Sequence, residues 1–133
     1  MSKTIEIEGY CRLWGDQFSP MVVEEETGIH FDYKNEPGEI GKTGRYKGVA
    51  IPCGSGEIAF SETGASADLL SPDAPILEII EKHQSSFSAA GATEIVLIIN
   101  VFYKGQCNIE QSHKLLKRLA MLKVDLSISC QQL

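Results

Sequence analysis

The run Glu94-Ile-Val-Leu-Ile-Ile-Asn-Val-Phe-Tyr103 most constrains what this chain can fold into. Ile95, Leu97, Ile99 and Val101 point to one side of an extended segment, and Val96, Ile98 and Phe102 to the other. A strand apolar on both faces usually lies inside a sheet with cover above and below. Glu94–Tyr103 is therefore expected as the central strand, with the rest of the chain supplying its covers. The 133 residues suffice for one domain, 1–133, that buries about two-thirds of its unfolded surface.

Thr4 to Leu13 alternates, with Ile5, Ile7, Cys11 and Leu13 on one side and Glu6, Glu8, Tyr10, Arg12 and Trp14 on the other, as in a strand with one buried face. Gly9 interrupts the apolar row, which marks a bulge or the close approach of another element. In Phe18-Ser19-Pro20, Ser19 is placed to cap a helix, Pro20 to open it and Phe18 to staple onto Val23, with Gly28 as the stop. Glu24 to Glu26 then sit at the wrong end of the helix dipole. Ile29 to Tyr33 reads as a strand. The glycine-rich stretch 34–56 contains Tyr46 to Ile51, expected as a short strand paired through a Pro52–Gly56 turn with Glu57–Glu62.

Asp68 to Ala90 holds the longest helix pattern, with Ser71 or Asp73 as cap, Pro75 in the first turn and a stripe of Ile76, Ile80, His83, Phe87 and Ala90. Asn108 with Gln111 resembles a capping box for a last helix whose inner face is Ile109, Ser112, Leu115, Leu116, Leu119 and Leu122. Lys114, Lys117 and Arg118 are expected in water. Val124 to Cys130 alternates strictly, with Val124, Leu126, Ile128 and Cys130 inward. Strand, helix, strand in that order implies parallel strands joined by a right-handed crossover. The same order at both ends predicts an α+β two-layer sandwich, a mixed β-sheet with helices on one face and split β-α-β, ferredoxin-like character.

Gly15-Asp-Gln-Phe-Ser-Pro20, Thr27-Gly28-Ile29, Ser112-His-Lys-Leu-Leu-Lys-Arg-Leu-Ala-Met-Leu122 and Val124-Asp-Leu-Ser-Ile-Ser129 together resemble a bacterial family known only as a domain of unknown function, about as long as this chain. The resemblance implies an α+β domain of the bacterial cytoplasm. It departs at Phe60, where a tryptophan would stand, and at Lys123, where a glycine would close the helix. It carries no catalytic residue across.

The net charge of −6 is concentrated: residues 1–40 hold nine acids against Lys3, Arg12 and Lys34, and the remainder sums to zero. An acidic first third disfavours nucleic acid and anionic membranes and permits a basic protein partner. No apolar run reaches the roughly 18 residues a bilayer demands, and the start lacks the build of a signal peptide, so a cytoplasmic location is expected. Cys11, Cys53, Cys107 and Cys130 form no Cys-x-x-Cys pair and are expected as free thiols, with Cys11 and Cys130 on apolar strand positions.

Few residues carry recognisable chemistry. Gly41-Lys42-Thr43 ends like a phosphate loop, but Glu36 stands where the required glycine belongs and no amphipathic helix follows. His30 and Asp32 would share a strand face, yet two groups are too few for zinc. Cys53-Gly-Ser-Gly56 lacks the strand-to-helix elbow of a hydrolase nucleophile and reads as a tight turn. No catalytic set, metal or cofactor is assigned. Tyr10, Arg12 and Trp14 are expected on the sheet face opposite the helices, to be roofed by residues 34–62, by a second copy, or by a ligand or partner. The expectation is a non-enzymatic binding domain that engages a protein partner, or itself as a homodimer, through this face. The alternative is a small-ligand (anion) sensor or enzyme with a pocket between the sheet and loop 34–56, gripping its ligand through Arg12, Lys42 or Arg45.

Overall fold

A computed structural model describes residues 5–62 and 70–132. In chain order it contains β1 (Ile5–Gly15), α1 (Pro20–Thr27), β2 (Tyr33–Asn35), β3 (Gly54–Glu62), α2 (Pro75–Ala89), β4 (Glu94–Tyr103), α3 (His113–Leu122) and β5 (Asp125–Gln132). One five-stranded sheet has the order β2-β3-β1-β4-β5. Both early crossovers skip a strand: β3 stands between β1 and β2, and β1 between β3 and β4. That is the split β-α-β arrangement, to which α3 and β5 add a simple unit, β5 pairing parallel with β4 from Val96↔Asp125 to Tyr103↔Gln132. β2 pairs antiparallel with β3, so the sheet is mixed and the architecture is an α+β sandwich. The middle strand is β1, and β4 is interior between β1 and β5.

Two compact units are distinguishable, one within Met1–Cys11, Ala59–Lys82 and Val96–Leu133, the other within Arg12–Ile58 and His83–Ile95. In the first, Ile7, Ile99 and Val101 form a buried cluster with Phe60, Cys107, Ile109 and Leu126 packed on it. The Phe60 ring occupies the space a side chain at Gly9 would need, since a Cβ there would fall 2.2 Å from the ring. Ile76, Leu77 and Ile80 of α2 and Leu115, Leu119 and Leu122 of α3 are buried by the same apolar periodicity that made them helical. In the second unit Leu13, Phe18, Val23, Phe31 and Phe87 are the large buried side chains, and Phe18 meets Phe31 edge to face at 6.3 Å.

The caps explain where the helices begin and end. Ser19 Oγ accepts from Val22 N, Pro20 occupies the first turn, and Gly28 closes α1 in the left-handed conformation. The last helix starts at His113, because Ser112 Oγ accepts from Leu115 N, and Asn108 with Gln111 stands outside it. Leu116 is exposed, one position outside the buried stripe of Leu115, Leu119 and Leu122. The segment Tyr46–Ile51 is no strand. A 3₁₀ turn covers Gly44–Tyr46, and β3 takes β2 as its hairpin partner instead. Ile29 to Phe31 is irregular, the strand beginning only at Tyr33. The long helix begins at Pro75; Ser71 Oγ accepts from Asp73 N in the turn before it, and residues 68 and 69 lie outside the described range. Along β5 burial stops early: Val124 is buried and Leu126 half-buried, whereas Ile128 and Cys130 are exposed because β5 is an edge strand.

Lys123 adopts φ 57°, the only non-glycine residue with positive φ among those described, and its N–H donates to Ala120 O while Val124 N donates to Leu119 O. This closure is built for glycine, and an L side chain there costs about 1–2 kcal/mol. Lys123→Gly is therefore expected to raise the unfolding free energy by about 0.5–1 kcal/mol, after the extra backbone entropy of glycine in the unfolded chain is deducted, as read from the urea midpoint.

Candidate functional site

In the second unit the chain from α1 to β3 builds a hollow, and its foundation is Phe31. The buried Phe31 ring lies on Gly56, where a Cβ would fall 2.8 Å from the ring. Its N–H donates to Glu24 Oε2 at 3.0 Å, and the same carboxylate accepts from Lys34 Nζ. Glu24 thus brackets the turn that leads into β2, and Asp32 N–H donates to Glu57 O at its threshold. The register Tyr33↔Glu57, Lys34↔Gly56 and Asn35↔Ser55 follows.

Beyond β2 the glycine-rich segment folds back on itself. Glu36 accepts from Ser19 Oγ at 2.5 Å and from Met21 N at 3.1 Å, which pins the segment to the start of α1 and adds a carboxylate where exposed N–H groups gather. Ile40 bridges Ala50 and Gly41 bridges Lys47, and a Cβ on Gly41 would sit 2.2 Å from Tyr46 O, so only glycine permits the return. Asn35 Nδ2 donates to Cys53 O at 2.8 Å, and Ser55 Oγ donates to Asn35 Oδ1 at 2.5 Å, fixing the floor. Enclosed is a hollow of about 430 Å³, with Tyr33, Lys34, Asn35 and Ser55 on the strand side and Glu39, Ile40, Lys42, Thr43 and Tyr46 on the loop side.

Of the residues singled out in sequence, Lys42 lines this hollow. Arg45 is exposed and outside the lining, its guanidinium 5.5 Å from the centre of the Tyr46 ring. Tyr10 belongs to the first unit, where it walls a shallow groove of about 340 Å³ with Glu8, Ala59 and Ser61. Arg12 is exposed, and Trp14 is half-buried with its carbonyl accepting from Thr93 N at 2.8 Å. Residues 54–62 do not roof the face on which these three lie, because they form β3 within the sheet.

The remaining candidates resolve into structure. Cys53-Gly-Ser-Gly56 leads into β3 and is no turn; a Cβ on Gly54 would meet Phe18 O at 1.7 Å, so its glycines answer to packing. Gly41-Lys42-Thr43 precedes a 3₁₀ turn rather than an α-helix. His30 is exposed with Nδ1 3.6 Å from Glu24, and among the described residues no group of three or more His, Cys, Asp or Glu could hold a metal ion. Cys11 is fully buried and burial pushes its thiol up to about 12, which makes it inert. The Cys107 thiol is also raised, by desolvation and then by Cys130, whose thiol is its hydrogen-bonding neighbour. Among the described residues no helix is long and apolar enough to cross a membrane.

Sequence reasoning missed Arg118. Expected in water, it is half-buried: its guanidinium donates to Pro72 O, to Glu78 at 3.0 Å and to Glu81 at 2.7 Å, with Asp73 3.9 Å away. These contacts hold its pKa above the ordinary arginine value, the hydrogen bond to Glu78 contributing most. The available signal was Glu78 and Glu81 three residues apart on one face of α2. Glu36 was missed too, because its partner Ser19 is 17 residues away.

No protein-family model, curated protein or solved structure matches this chain.

The Glu24 carboxyl is held below the ordinary glutamate range, first by the Lys34 hydrogen bond and then by the Phe31 N–H. Its contribution is present above the unfolded value of about 4.3 and is lost as pH falls through the lower folded value. Glu24→Gln is expected to be less stable than the parent at pH 7, with the gap closing below about pH 4, as urea midpoints measured across pH will show.

Proposed function

We propose that this chain is a binding domain whose ligand is a small organic anion seated in the hollow between β2 and the loop 39–46. The observation that carries this is the loop's charge. In a chain of net charge −6, residues 39–56 set Lys42, Arg45 and Lys47 against one acid, Glu39, which also lines the hollow. A local cationic rim on an acidic molecule draws anions to that place. The lining then offers the tyrosine rings of Tyr33 and Tyr46 and the Ile40 side chain for an apolar part, with Lys42 and Thr43 beside them for the charged part. Tyr33 and Ile40 are 64% and 58% exposed, an expense of apolar surface that a ligand would recover. Binding is preferred to catalysis because the floor's polar groups, Asn35 and Ser55, are occupied with each other and with Cys53 O.

A second reading has its own observation. The even-numbered side of β1 carries Glu6, Glu8 and Arg12 exposed and Tyr10 and Trp14 half-buried, an acidic and aromatic strip suited to a basic protein partner. The bacterial, cytoplasmic setting belongs to the same proposal and rests on the sequence resemblance at Gly15–Pro20 and Val124–Ser129.

A thermal-shift panel of anionic metabolites is expected to contain at least one that raises the melting temperature by several degrees, since ligand at a hundredfold excess over Kd stabilises by about 2.7 kcal/mol. Lys42→Ala and Tyr33→Ala should each weaken that ligand about tenfold or more, while Trp14→Ala leaves it unchanged. A flat panel combined with a complex abolished by Trp14→Ala or Arg12→Ala would transfer the function to the β1 strip.

A further inference from the structure

We propose that the outer edge of β5 pairs antiparallel with β5 of a second copy of this chain, continuing the sheet across a two-fold axis at Ile128. β5 ends the sheet order and among the described strands has one neighbour, β4. It is eight residues long, Asp125-Leu-Ser-Ile-Ser-Cys-Gln-Gln132, and all but Leu126 are exposed. Edge strands that must stay alone are usually short or carry lysine, proline or a bulge. β5 has none of these: its register with β4 is unbroken over all eight residues, and its one charge is Asp125 at the end.

The sequence of the strand fits its own reverse. Antiparallel pairing that keeps each side chain on its proper face needs a two-fold centred on a residue, because faces alternate with period two. Centred on Ile128, the pairing sets Ile128 against itself, Ser127 against Ser129, Leu126 against Cys130 and Asp125 against Gln131. Apolar meets apolar, hydroxyl meets hydroxyl, and no acid faces an acid, which an acidic chain needs if it is to meet its copy. Ile128, 41% exposed although its register partner Ile99 is fully buried, would be covered by its counterpart.

The helix above supplies a second apolar border. Arg118 reaches from α3 to Glu78 and Glu81 of α2. Leu116 is two residues earlier, about 200° around the helix, so its flank is turned away from α2. Leu116 is 48% exposed on a helix that packs on β5, and the same two-fold would bring it toward the second copy. These residues all belong to the first unit, separate from the hollow, so the pairing and the ligand site stand or fall independently.

Sedimentation of the whole chain from low micromolar to near-millimolar concentration is expected to show a reversible rise from 14.6 kDa to twice that mass. Ile128→Lys should weaken the dimer about tenfold or more by setting like charges opposite one another, with an unchanged circular dichroism spectrum, while Ile128→Thr retains it. In a chain with Cys53, Cys107 and Cys130 replaced by serine, Ile128→Cys should form an intermolecular disulfide on mild oxidation, because directly opposed Cα atoms are about 4.5–5.5 Å apart. Ser127→Cys, whose copies would be offset by two positions, should form little. A monomer at every concentration, a dimer indifferent to Ile128→Lys, or cross-linking equal at positions 127 and 128 would each overturn the proposal. A monomer that instead accepts a foreign peptide strand on β5 would overturn it as well.

Discussion

The hollow depends on one contact, the Phe31 ring lying on Gly56. A strand residue with any side chain would lift that ring away, for even a Cβ would stand 2.8 Å from it. With the ring seated and Glu24 holding its N–H, the next residues have a single path, along β3 with Tyr33 opposite Glu57. Tyr33 then projects into solvent at the lip of the hollow, and Asn35 and Ser55 tie its floor. The energetic asymmetry matters here. The apolar anchor is buried and insensitive to salt, whereas the Glu24 bracket is electrostatic and responds to pH, so acid should loosen the lip before it disturbs the core.

Much of this was legible in the sequence where the signal is local. Ser19, Pro20 and Gly28 bound α1 as their chemistry requires, and the alternation of β1 and the helical stripe of α2 report real buried faces. Legibility failed where the deciding partner is distant. Tyr46–Ile51 has the residues of a strand, yet Gly41 and Tyr46 lock it into a folded loop, while the less regular Tyr33–Asn35 receives the pairing because Phe31 delivers it to β3. Cys53-Gly-Ser-Gly56 looked like a turn because glycines mark turns, but here they admit the Phe18 backbone and the Phe31 ring. Arg118 was misplaced for a similar reason: helical spacing gives a residue's direction around the axis and says nothing of which carboxylates wait there. Of the candidate site, Lys42 and the glycine-rich loop were readable, and Tyr33 and Tyr46 were not, since their roles follow from the register.

The five strands also show why apolar content on two faces does not make a strand the centre of its sheet. On β4, Leu97, Ile99 and Val101 are buried, while Val96, Ile98 and Phe102 are half-buried. β1, polar on one face, is the middle strand. Here β3 returns to one side of β1 and β4 to the other, and β5 adds beyond β4, which leaves β1 third of the five. In this sheet, strand order is not set by which strand is apolar on both faces.

The two borders of the sheet manage their free backbone differently. At one side, β2 is three residues long, and its neighbourhood is taken up by the folded loop whose lysines and arginine discourage another strand from approaching. At the other, β5 runs eight residues with uncharged, alternating side chains and no interruption. The contrast between a blunted edge and a long, neutral one is what motivates the proposed pairing at β5. Such self-pairing would also limit itself, because a two-fold would consume the exposed β5 edge in both copies. The proposed assembly would therefore close at two, where an edge open to any strand would continue to grow.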